Sequence, residues 1–185
     1  LDMAGTLSLG EDTLIAIVLD LVRSLARHGV KRVAFINGHG GNNAALSVAV
    51  QRAHREIGVP IVTSIYAYTL IANAAEQVLG PEAIGHGGGD EASVVLALRP
   101  DLVRKDLLVD PEVDAPLRAM QQVIGAINGA FPVRQVLVSA GGTTGDARQA
   151  SADAGNVMLG QAAARLQTIV EALIDLPLPE PPAPA

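Results

Sequence analysis

The chain has 185 residues, 49% of them hydrophobic, which is one domain's worth of sequence with ample material for a core. Its 13 Lys and Arg against 19 Asp and Glu give a formal net charge of −6, and with no basic cluster anywhere nucleic acid and anionic membrane are excluded as partners. Cysteine is absent, which rules out disulfides, thiolate zinc sites and a cysteine nucleophile. Without a secretory leader or a long apolar span, a cytoplasmic location is the expectation.

Ser8 and Glu11 have the spacing of a capping box, which predicts a helix starting there. Leu14, Ile17, Val18, Leu21, Val22 and Leu25 recur at steps of three and four as its apolar face, and Arg27-His28-Gly29 reads as a cationic last turn closed by a left-handed glycine. Val33 to Ile36 is a short apolar run that reads as a buried strand. It empties into the glycine-rich turn Asn37-Gly38-His39-Gly40-Gly41-Asn42-Asn43, where Asn42 or Asn43 can cap a second helix. That helix has Leu46, Ala49, Val50, Ala53 and Ile57 as its buried stripe and stops at Gly58 and Pro60. Ile61 to Tyr66 is the next strand.

Helix, strand, helix, strand with short connections is the rhythm of a parallel sheet covered by helices, an α/β fold. The glycine turn then lies at the carboxyl end of a strand, where open α/β sheets place their ligands. With aromatics at 2%, the core is expected to be aliphatic and rich in alanine.

Thr69 to Leu79 is predicted helical and is punctuated by Gly80-Pro81. A second histidine in glycines follows, Gly85-His86-Gly87-Gly88-Gly89-Asp90-Glu91-Ala92-Ser93, opening a helix that ends at Arg99-Pro100. Residues 101–132 read as loop plus one helix around Pro116 to Ile127. Val136 to Val138 reads as a short strand before the turn Ala140-Gly141-Gly142-Thr143-Thr144-Gly145-Asp146. Ser151 to Ile174 reads as a long alanine-rich helix. The expected organisation is a single domain over residues 1–176 and a flexible proline-rich tail over 177–185.

Of the four histidines, His28 in a helix's last turn and His54 between Arg52 and Arg55 fit structural or solvent-facing roles. His39 and His86 sit on bare, glycine-flanked backbone, where an imidazole can bind metal, move a proton or hydrogen-bond its own loop. Asp90 or Glu91 can complete a metal shell, and either also suits a helix N-terminus. The Gly38 to Asn43 turn lacks the third glycine of a dinucleotide loop and has no phosphate-loop lysine. Gly141 to Gly145 can hold an anion or be a plain turn, and Ser93 has no base at a triad spacing.

Taken together, Asn37-Gly38-His39-Gly40-Gly41-Asn42 after a strand, His86-Gly87-Gly88-Gly89-Asp90-Glu91-Ala92-Ser93, the early Gly5-Thr6-Leu7-Ser8-Leu9 and the late Gly142-Thr143-Thr144-Gly145-Asp146 resemble the creatininase (creatinine amidohydrolase) family. The resemblance implies a three-layer αβα sandwich with a mostly parallel central sheet that assembles into homo-oligomers, hexamers among them. It implies a hydrolase that cleaves a non-peptide C–N bond of a small cyclic amide or formamide with water activated by two divalent metals, zinc first, manganese or iron as alternatives. By the same resemblance His39 and Glu91 are metal ligands and His86 is the catalytic proton donor. Gly38, Gly40, Gly41 and Asn42 then form the loop or meet the small-molecule substrate. Gly89 and Ala92 replace larger or polar residues of the family pattern. The family's Glu-x-His pair and following aspartate have no counterpart here, Asp2 being the only acidic residue before Ser8, so an N-terminal metal-binding segment is expected upstream of Leu1. A non-catalytic structural or regulatory family member is the alternative.

Overall fold

The computed structural model describes residues 3, 5–126, 131 and 133–179. Asp2, Ile127 and the tail beyond Pro179 lie outside the described residues. In chain order the elements are α1 (Glu11–Arg27), β1 (Arg32–Asn37), α2 (Asn43–Arg52), β2 (Ile61–Tyr66), α3 (Tyr68–Leu79), α4 (Gly89–Leu98), α5 (Ala115–Ala126), the single turn α6 (Gln135–Val138) and α7 (Ala152–Asp175). A π-helical turn, Ala53–Ile57, extends α2. The chain divides into two compact units, one of residues 8–70 with 162–185, the other of residues 1–7 with 71–161.

In the first unit β1 and β2 pair in parallel, Arg32 opposite Ile61 through Asn37 opposite Tyr66, with α2 as the crossover that a parallel pair requires. Ile15, Val18, Leu19 and Val22 of α1 pack with Ala45, Leu46 and Ala49 of α2 and with Val33, Ala53 and Val59. Of the stripe predicted for α2, Leu46, Ala49 and Ala53 are buried and Ile57 packs against them, while Val50 is only half-buried and Ala45 joins the core. The stripe predicted for α1 is partly displaced: Val18 and Val22 are buried, but Ile17, Leu21 and Leu25 are exposed and Ile15 and Leu19 take their place. β1 differs from a strand buried on both faces, because Val33 and Asn37 are buried while Ala34 and Ile36 are exposed, the alternation of a one-sided strand.

Two caps also form otherwise than the spacing suggests. Helix α1 starts at Glu11 after Gly10, with no side-chain cap, and the Ser8 hydroxyl donates to the Leu9 carbonyl instead. Ser8 lies two residues before the N-cap Gly10, so Glu11 and Asp12 serve the first turn only through the helix dipole. Helix α2 is likewise uncapped by Asn42 or Asn43, whose amides are engaged by Asn37. At the other helix ends the reading holds: Gly29 and Gly58 adopt φ of +80° and +77°, the left-handed stop that favours glycine.

In the second unit Ala74, Ala75, Ala154 and Met158 form a small core, flanked by Ile71, Leu79, Ile84 and Val94. Small residues let the segments approach closely here, as the alanine-rich composition predicts. Residues 136–138 form a helical turn rather than a strand. The Ser139 N–H donates to the Gln135 carbonyl, a local bond that satisfies the backbone without a strand partner. Helix α7 is long and apolar enough to cross a membrane by length and composition, with mean hydropathy 1.2. Its Arg165, however, donates to the carbonyls of Thr69 and Leu70.

Candidate functional site

The His39 loop is built around one buried amide. Asn37, the last residue of β1, is only 5% exposed, and its Nδ2 donates to the His39 carbonyl at 2.8 Å and to Asn43 Oδ1 at 2.6 Å. Its Oδ1 accepts from the His39 N–H at 3.1 Å and from Asn42 Nδ2 at 3.4 Å. The Ala67 N–H also donates to the Asn37 carbonyl at 2.8 Å, so the side chain of this residue holds the loop while its backbone ties β1 to the end of β2. His39 remains exposed on that support.

Two of the loop's glycines have a steric reason. A Cβ on Gly41 would stand 2.6 Å from His39 Nε2, and one on Gly40 would stand 3.0 Å from the Tyr66 hydroxyl. The loop therefore folds with the imidazole over Gly41 and the phenol over Gly40. Gly38 has open space around its Cβ position and an ordinary φ; nothing in the structure requires glycine there. The Tyr66 and Tyr68 rings lie 5.9 Å apart between centroids and tilted by 30°.

In the other unit His86 and Glu91 come together at the start of α4. The Gly87 N–H donates to Glu91 Oε2 at 2.8 Å, which ties the carboxylate to the histidine's loop and leaves Oε1 outside that bond. Both side chains are exposed, whereas Asp90 between them is fully buried, with Oδ1 3.4 Å from the Gly85 N–H. Ser93 is buried too, and its hydroxyl accepts from the Ser151 N–H at 3.0 Å, a structural use that agrees with the lack of a triad.

The loop's backbone lies against the turn at 142–146. The His86 N–H donates to Thr144 Oγ1 at 2.9 Å, and the Thr144 N–H donates to the His86 carbonyl at 2.8 Å. The Asp146 N–H donates to the Glu82 carbonyl at 3.0 Å. Glycine makes this contact possible: a Cβ on Gly145 would stand 2.5 Å from the Ala83 oxygen, and one on Gly85 2.7 Å from Thr144 Oγ1. Arg118 of α5 donates to the Thr144 carbonyl and, at 3.2 Å, to the Ile84 carbonyl. Arg148 hydrogen-bonds Asp146 and holds its carboxyl well below the ordinary carboxylate range, so the end of the turn carries a fixed ion pair. Asn37, Thr144 and Arg118 are the residues that sequence reasoning gives no role. For Thr144 the late glycine-threonine motif is the available signal.

A metal needs more than these two clusters show. An imidazole and a carboxylate are suitable donors, but among the described residues no group of three or more His, Asp or Glu comes together as a metal site. The described donors by themselves do not fit a hydrolytic metal. A cavity of 410 Å³ lined by Arg23, Ala26, Arg27, Glu56 and Ile57 includes none of the candidate residues.

Comparison with known proteins accords with these motifs. The family model for creatinine amidohydrolase matches residues 1–170. A creatinine amidohydrolase of Pseudomonas putida is 35% identical over 168 residues, covering 84% of this chain and 60% of the relative. A mycofactocin precursor peptide peptidase of Mycolicibacterium smegmatis is 34% identical over 109 residues, 57% of this chain and 37% of the relative. The chain thus spans well under two thirds of the length of these relatives. Solved creatininases, one a zinc–zinc form and one a manganese form, superpose with TM-scores of 0.76 at 28% identity, covering 95% of this chain and 69% of theirs.

Proposed function

The chain belongs to the creatininase family, and from that premise we propose that it hydrolyses a C–N bond in a small cyclic amide or formamide. The observation that carries this reading is the match across residues 1–170, within which His39 and His86 occupy the glycine-flanked positions described above and Glu91 the first turn of α4. In the reaction a water oxygen bonds to the carbonyl carbon, the C–N bond breaks, and a proton reaches the departing nitrogen. His86 is the group assigned to deliver that proton; its exposed ring on a backbone fixed by Thr144 suits the task. His39 on its Asn37 support and Glu91 on the Gly87 N–H are each assigned, by the family's motifs, as a donor to a divalent metal, zinc first, with manganese and iron as alternatives. Each stands in its own unit without the three protein ligands usual in a hydrolytic zinc site, so further donors are needed. Homo-oligomer formation is part of the same proposal.

The metal assignment has its own test. His39→Ala is expected to weaken metal binding by more than about tenfold, read as bound zinc or manganese per chain after dialysis against metal-free buffer. His54→Ala is expected to bind as the wild type does. Metal content unchanged in His39→Ala would remove His39 from the ligand set. A wild-type protein that takes up no metal would favour the second reading, a non-catalytic family member.

A further inference from the structure

We infer that Thr144, clamped by Arg118, is the positioning residue for His86, an inference that rests on the proton-donor role proposed above. Glycines flank His86 on its C-terminal side and at Gly85, and Gly85 and Gly87 have φ of +156° and +62°, so the local chain contributes little stiffness of its own. The loop is instead fixed from a segment 58 residues away, by the reciprocal pair of bonds between the His86 and Thr144 backbones and the Thr144 hydroxyl. A histidine on free glycine backbone would sample many positions, and misplacement of a proton donor by about 1 Å costs about 100-fold in rate. The two bonds to Thr144 define the position of the His86 Cα, from which the ring projects.

Thr144 itself is 9% exposed and held from behind. The Arg118 guanidinium donates to the Thr144 carbonyl and to the Ile84 carbonyl, bridging the turn and the segment two residues before His86. One planar cation thereby fixes the spacing of both strands of the clasp, a geometry that a lysine's single ammonium does not reproduce. Both of these bonds run to backbone carbonyls. Arg118 acts through Thr144.

Three variants and one additive test this. Thr144→Val removes the hydroxyl acceptor and keeps the size; Thr144→Ser keeps the acceptor; Arg118→Ala empties the bridge. With a turned-over amide as probe, Thr144→Val and Arg118→Ala are expected to lower kcat by about 10–100-fold, with KM and bound metal unchanged. Thr144→Ser is expected to recover most of the rate, and guanidinium chloride at low millimolar concentration to restore part of the Arg118→Ala rate. Guanidinium weakens folded proteins in general, so recovery on adding it separates a refilled slot from mere destabilisation. Wild-type kcat in Thr144→Val, equal losses in Thr144→Ser and Thr144→Val, or no guanidinium rescue would overturn the inference. If the wild-type protein turns over no amide, the functional reading fails separately, and the clasp is then judged by amide hydrogen exchange. The His86 N–H is expected to be protected in wild type and Thr144→Ser and to exchange at least tenfold faster in Thr144→Val; equal exchange in all three overturns it.

Discussion

His86→Ala is expected to lower amide hydrolysis by about 100- to 10,000-fold while leaving bound metal per chain as in the wild type. The first half follows from the role: without the imidazole, the nitrogen must leave unprotonated or take its proton from bulk water. The second half follows from placement, because the bonds of the His86 segment run to Thr144 and those of Gly87 to Glu91 through backbone N–H groups. Removing the imidazole leaves all of these intact. Parallel loss of metal and activity would make His86 a ligand and not a proton donor, and full retention of activity would leave it no part in the reaction.

Gly155→Ala has the largest expected effect on stability. Gly155 lies in the first turns of α7, where an added Cβ would run into the backbone carbonyl oxygen of Ser93 in α4, with the Ala97 methyl 2.8 Å away. Neither a carbonyl nor a helix backbone can step aside as a flexible side chain does, so the helices must separate around the small core of Ala154 and Met158. The cost is about 3 kcal/mol, seen as a melting temperature lowered by about 6–12 °C. Gly160→Ala in the same helix is the control, since nothing stands within 4 Å of its Cβ position. It is expected to stabilise by up to about 1 kcal/mol, through helix propensity alone. A Gly155→Ala protein as stable as the wild type would show that the α4 and α7 backbones are not in the close contact described.

What the residues reveal in advance depends on whether the information is local. The β1 and β2 segments, the buried face of α2 and the glycine stops at Gly29 and Gly58 depend on periodicity and on φ, and a single sequence displays both. Helix α1 was harder because it carries two overlapping apolar stripes that share Val18 and Val22, and only packing decides that Ile15 and Leu19 go inside while Ile17 and Leu21 stay out. Residues 136–138 have strand-forming side chains but no neighbouring strand among the described residues, and a local helical bond prevails.

The same distinction runs through the site. His39 and His86 stand out because glycine surrounds a reactive side chain, Glu91 as one of two acids that follow the second glycine cluster, and the family motifs point to the same three. The residues that hold them do not stand out. Asn37 reads as the polar end of a strand, yet it is buried and its side chain bonds to three residues of its loop, His39, Asn42 and Asn43. Thr144 and Arg118 meet their partners across 58 and 26 residues of chain, a tertiary relation that no spacing rule encodes.

The most direct measurement is turnover. The protein, purified without chelator and supplied with zinc or manganese, is incubated with a panel of small cyclic amides and formamides, and mass spectrometry quantifies the ring-opened amino acid from each cyclic amide and the amine and formate from each formamide. At least one compound is expected to give its hydrolysis product with wild-type protein and almost none with His86→Ala. Consumption of no compound, or equal consumption by the two proteins, would contradict it.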